Sequence, residues 1–143
     1  MITTHTITKI LVAHDGSETA DQAFHMALEL AGKYGAELHA VSVVRLPEFG
    51  ESVETAAMID AGRAHYDKLG QRLRDAAGNQ QATVHFRTLV GHPAEQVVGE
   101  AQKLGADLIV LGHRGKSLIE RWLTGSTTKQ VMGYAHCAVL VVR

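Results

Sequence analysis

A single cysteine, Cys137, in a chain of 143 residues leaves no partner for an internal disulfide and no set of thiolates for a zinc cluster. Charge of one sign is equally scarce: 14 Lys and Arg stand against 15 Asp and Glu, a formal net of −1. That balance removes the general electrostatic case for nucleic acid, which demands a basic face. No apolar run approaches the ~18 residues that read as a membrane span. The segment Met1-Ile-Thr-Thr-His5 lacks the charged and apolar blocks of a secretory leader. The expectation is a cytoplasmic protein with neither a membrane nor a nucleic-acid partner. Three signatures are missing as well. There is no Gly-x-Gly-x-x-Gly, and Gly115-Lys116-Ser117 fails as a P-loop because Val110 stands where its first glycine belongs. Without a Gly-x-Ser-x-Gly elbow, Ser17, Ser117 and Ser126 are poor nucleophiles.

What is present is a regular alternation of short apolar runs and longer amphipathic ones. The length suits one domain, 1–143, able to bury ~70% of its unfolded surface without staples. Strands are expected over Ile7–Ala13, Glu37–Val44, Thr83–Val90, Asp107–Leu111 and Cys137–Val142. Helices are expected over Ser17–Tyr34, Val53–Ala77, the segment after Pro93, and Ser126–Tyr134. Such alternation implies an α/β fold, an open doubly wound parallel sheet with helices on both faces. An internal echo supports it: Ala31-Gly-Lys-Tyr-Gly-Ala-Glu-Leu38 resembles Ala101-Gln-Lys-Leu-Gly-Ala-Asp-Leu108, two solutions to one helix-to-strand turn.

Ligands of open parallel sheets bind beyond the carboxyl ends of the strands, where the strand order reverses. The segment from Gly112 to Thr128 is the most informative there. Gly112 and Gly115 allow close approach of the backbone and an anion-binding nest. Gly125-Ser126-Thr127 offers free N–H groups at a helix start, where phosphate is favoured. Arg114, Lys116 and Arg121 add positive charge between the two. A plain turn with Ser126 or Thr127 as a cap accounts for part of the same pattern. Asp15 has two compatible readings: a helix cap in an Asp15-x-x-Glu18 box, or a contact to a ligand at the switch point. Nine histidines show no His-x-x-x-His spacing. His14, His92 and His113 follow strand ends, but a metal site made from them is a minor prospect. Cys137 reads as a small core residue.

These residues carry a likeness. Ile10-Leu-Val-Ala-His-Asp-Gly-Ser17, Gly91-His-Pro-Ala94, Ala106-Asp-Leu-Ile-Val-Leu-Gly112 and, above all, Gly112-x2-Gly115-x9-Gly125-Ser126 resemble the nucleotide-binding branch of the universal stress protein family. The resemblance implies a Rossmann-like, five-stranded parallel sheet in the order 3-2-1-4-5, similar to the adenine nucleotide α-hydrolases. It implies ATP, AMP or another adenine nucleotide as ligand, with or without Mg2+ or Mn2+. Asp15 would lie beside the ribose and phosphates, and Ala13 and Val41 would line the adenine slot. Gly112, Arg114, Gly115, Gly125, Ser126 and Thr127 would hold ribose and phosphates. A homodimer through Ala138–Val142 is implied too, although Ala138 replaces a frequent family proline, and His14 stands where Val or Thr is commoner. No catalytic residue and no resident metal site are expected. The function so implied is a regulatory switch or sensor in stress response, and the alternative is a slow ATP hydrolase or phosphatase on the same fold.

Overall fold

The computed structural model describes residues 6–46, 53–113 and 125–143. Five strands and four helices alternate: β1 (Lys9–Ala13), α1 (Glu18–Tyr34), β2 (Glu37–Arg45), α2 (Val53–Asn79), β3 (Val84–Gly91), α3 (Pro93–Leu104), β4 (Leu108–Gly112), α4 (Gly125–Tyr134) and β5 (Ala138–Val142). They form a parallel sheet in the order β3-β2-β1-β4-β5. The expected elements are all present, with ends shifted by two residues or fewer. The short helical turn considered for Leu118–Leu123 lies outside the described residues. Among the described residues, no helix is long and apolar enough to cross a membrane.

The period of two along each strand divides the core into two layers. Ile10 and Val12 of β1 face one side, with Leu38, Ala40 and Val110, and meet Phe24, Ala27 and Ala31 of α1 and Leu69 and Leu73 of α2. Leu11 and Ala13 face the other side, with Val41, Ile109 and Leu111, and meet Val97 and Ala101 of α3 and Val131 of α4. Central strands buried on both faces need continuous apolar runs, and Leu108–Leu111 is buried throughout.

The echoed octapeptides fold alike. Gly35 and Gly105 both take the left-handed conformation, at φ 64° and 66°. The next amide in each case closes the motif, Ala36 N–H on Ala31 C=O and Ala106 N–H on Ala101 C=O, both at 2.9 Å. From there the chain enters the sheet beside the start of β1. Glu37 N–H donates to Thr8 C=O at 2.8 Å, and Asp107 N–H to Lys9 C=O at 2.9 Å. One turn, used twice, sets β2 and β4 on either side of β1.

Candidate functional site

The strand order reverses between β1 and β4, the pair whose register joins Val12 to Val110. The connections after these two strands diverge to opposite faces, α1 on one and α4 on the other. A crevice at the carboxyl ends follows from that topology. The first residues beyond β1 stand at this point of the sheet.

His14 organises this corner. It is fully buried, and each of its polar groups is engaged. Its N–H donates to Val41 C=O at 2.8 Å, and its C=O accepts from the Ser42 hydroxyl at 2.7 Å. Gly16 N–H donates to Nδ1 at 3.0 Å, so that nitrogen carries no proton and Nε2 carries it toward Asp21 Oδ1, 2.8 Å away. The same Asp21 oxygen lies 3.2 Å from the Arg72 guanidinium on α2. Burial pushes the Asp21 carboxyl up, but the hydrogen bond from His14 and the charge of Arg72 outweigh it and hold the group below its ordinary value. A polar His at a position facing the core is therefore satisfied on every side.

Asp15, next in the chain, is 3% exposed and accepts Ser17 N–H at 3.0 Å. Ser17, rather than Asp15, is the N-cap of α1: it has extended backbone angles, and its hydroxyl accepts Ala20 N–H at 3.2 Å. The expected Asp15-x-x-Glu18 capping box is thus corrected. The helix begins two residues later than that box requires, and Asp15 instead braces the turn leading into it. Its carboxylate stays at the switch point, where the sequence places it.

Gly112 ends β4 against the start of α1. A Cβ there would lie 2.7 Å from the Thr19 carbonyl carbon and 2.9 Å from Ala20 N. Its missing side chain therefore serves the packing of strand end against helix start, a reason that sequence spacing did not supply. Ala13 and Val41 are register partners, both buried in the α3/α4 layer. Val41 lies within β2 rather than at its end, and its carbonyl already accepts from His14. At the far wall, α4 begins at Gly125, as the helix-start reading requires, and Thr127 is buried in its first turn. The neighbouring Thr128 Oγ1 is buried without a hydrogen-bond partner. Arg114 and Gly115, and most of the glycine motif with them, lie outside the described residues.

A cavity of about 670 Å³ opens between α3 and α4 at this end of the sheet. That size falls within the range of small-molecule sites. Thr127 lines it, together with Arg45 at the end of β2, His92 just beyond β3, Gln130 and Tyr134. Ala13, Asp15, Val41 and Gly112 do not line it. His14 cannot join His92 in binding a metal, because both of its ring nitrogens are engaged. Among the described residues, the three side chains near enough to share an ion are Glu37, His39 and His85, at the opposite end of the sheet. Sequence reasoning missed them. The signal was available, since the order 3-2-1-4-5 with aligned strand starts pairs His39 with His85. Cys137 packs on the α3/α4 layer, and burial, with the charge of Asp107, raises its thiol pKa. It is partly buried against the core rather than within it.

Comparison with known proteins agrees with this architecture. The model of the universal stress protein family matches residues 6–143. The chain is 33% identical over 138 residues to a universal stress protein of Methanocaldococcus jannaschii, covering 94% of this chain and 81% of that one. It is 32% identical over 145 residues to the universal stress protein YxiE of Bacillus subtilis, covering 94% and 98%. Among solved structures, the universal stress protein UspA from Lactobacillus plantarum superposes with a TM-score of 0.87 at 29% identity, covering 98% of this chain and 100% of that one. A universal stress protein in complex with cAMP superposes at 0.74 with 26% identity, covering 97% and 99%. With its sheet order, its switch-point crevice and a match over nearly all its length, the chain belongs to the universal stress protein family.

Proposed function

We propose that this protein binds an adenine nucleotide, ATP in the first instance, at the carboxyl ends of β1 and β4 and acts as a regulatory switch or sensor in stress response. The observation that carries the reading is the reversal of strand order at β1/β4, with the buried Asp15 carboxylate on one side and the start of α4 on the other. A relative with the same fold is described in complex with cAMP, an adenine nucleotide, which supports the reading. The groups present fit such a ligand. The N-terminus of α4 and Thr127 suit phosphate, Arg45 and His92 border the adjoining cavity, and the apolar Ala13 and Val41 lie beneath. Asp15 suits a ribose hydroxyl; beside phosphates it would need a cation between, the place where Mg2+ or Mn2+ enters the proposal. Arg114, Gly115 and Ser126 belong to the same proposal through the family likeness.

A switch is favoured over a hydrolase by the state of His14. Among the described residues, the imidazole buried at the switch point, that of His14, has its lone pair taken by Gly16 N–H and its proton by Asp21, so it has no capacity left as a general base. The remaining elements of the proposal are one domain, a cytoplasmic location, and a homodimer through β5. That strand is the edge of the sheet, and Val139 and Leu140 are only partly buried there.

Calorimetric titration with ATP of the wild type, Gly115→Ala and Thr127→Val tests the reading. Binding to the wild type, about tenfold weaker in either variant, is expected, since a lost bond to a charged group is worth about 1.5 kcal/mol or more. Absence of binding, or equal affinity in all three, overturns it. Phosphate release faster than about one per minute, abolished by Asp15→Ala, would establish the hydrolase instead.

A further inference from the structure

The amino-terminal end of the sheet holds a second constellation. β2 and β3 run in register there, Leu38 opposite Val84 and His39 opposite His85. Adjacent strands lie about 4.8 Å apart, and paired residues project from one face. The two imidazoles accordingly sit face to face, with centroids 4.8 Å apart and planes inclined by 31°. Glu37 precedes His39 by two residues and shares its face, which brings Oε1 to 3.0 Å from His39 Nε2. One ligand atom from each of the three side chains lies within 4.8 Å of the other two. His39 is half-buried and fixes the group to the sheet, while Glu37 and His85 are open to solvent. A shallow cavity of about 340 Å³ reaches Glu37 and His85 from the side.

We propose that Glu37, His39 and His85 bind one divalent transition-metal ion of the zinc class, with solvent completing its coordination. Two imidazoles and a carboxylate are a donor set of that class, three protein ligands with a fourth position left open. Around Zn2+, ligands at about 2.0–2.1 Å stand roughly 3.4 Å apart. The present spread reaches that geometry by about an ångström of side-chain rotation, without moving the strands. The ion takes the place of the single proton on His39 Nε2, which moves to Nδ1, so the ring stays neutral and releases no proton. Imidazole donors favour Zn2+, Ni2+ and Cu2+ over Mg2+ and Ca2+, which prefer all-oxygen ligand sets. The site stands apart from the crevice. From His39 to the far end of β2 at Arg45 are six residues, roughly 20 Å at strand rise.

Titration with zinc chloride, followed by the ring 15N resonances of the histidines, tests the proposal. The expected result is one equivalent bound, with shifts confined to His39 and His85, and no competition from a hundredfold excess of magnesium. His85→Asn and His39→Asn should weaken zinc about tenfold or more, while His25→Asn, an exposed residue of α1, leaves it unchanged. Wild-type affinity retained in His85→Asn, zinc shifting other rings, or no binding overturns the proposal. Should a variant fold poorly, the ring shifts of the wild type decide the matter alone.

Discussion

The two ends of the sheet handle their polar groups in opposite ways. At the carboxyl end, His14 and Asp15 are buried, and His14 has both ring nitrogens, its N–H and its C=O engaged. At the amino end, Glu37 and His85 are exposed, and the histidine pair rests on strand register alone. Burial makes the first end rigid, because any polar group left unpaired there costs free energy in full. Exposure leaves the second end free to rearrange around an ion at small cost. A preformed crevice suits a ligand that is to be recognised by shape, and a loose cluster suits one that supplies its own bonding energy.

The comparison breaks most severely at His14. His14→Ala leaves a cavity and strands Gly16 N–H and Asp21, and should cost about 3 kcal/mol. Thermal unfolding should then move down by about 9 °C. Next comes Gly112→Ala, whose Cβ would meet the α1 backbone 2.7 Å away. Overpacking of this kind should cost about 2 kcal/mol in chemical denaturation. A smaller effect is expected of Asp21→Asn, which keeps an acceptor for His14 and removes the charge facing Arg72, at about 1 kcal/mol at neutral pH. The folded-state pKa of Asp21 lies below its unfolded value. Its contribution is therefore present above the unfolded pKa and is lost as pH falls through the folded one. The acid limb of a stability profile should be flatter in Asp21→Asn than in the wild type.

The smallest effects separate the two echoed turns. Asp107 accepts Thr8 N–H at 2.8 Å, the Thr8 hydroxyl at 2.9 Å and Lys9 N–H at 3.0 Å, and these bonds hold its pKa low. Glu37, at the matching position, turns to His39 instead. Asp107→Ala should lower stability by about 0.5–1 kcal/mol. Glu37→Ala should leave the unfolding midpoint unchanged while weakening zinc, which differential scanning fluorimetry with and without the metal would read.

Much of this was legible from residue order. The apolar run Leu108–Leu111 announced a central strand, and glycines after two similar helices announced the turns that flank β1. The switch point followed from the alternation. What stayed hidden depends on contacts between distant segments. Asp15 and Ser17 are both competent caps, and only the path of the chain decides between them. Gly112 reads as room for a ligand until α1 is seen to fill that room. His39 and His85 are 46 positions apart, and only the β2/β3 register brings them together.

Backbone amide 15N spectra recorded during titration with ATP, then with zinc chloride, test the central claim most directly. The account predicts that ATP shifts the amides near Ala13–Ser17, Gly112 and Gly125–Thr127 and leaves Glu37–His39 and His85 in place, with zinc doing the reverse. Shifts by ATP at the start of β2, or by zinc at the β1/β4 crevice, would contradict the division of the sheet into two sites; no response to ATP would contradict the crevice itself.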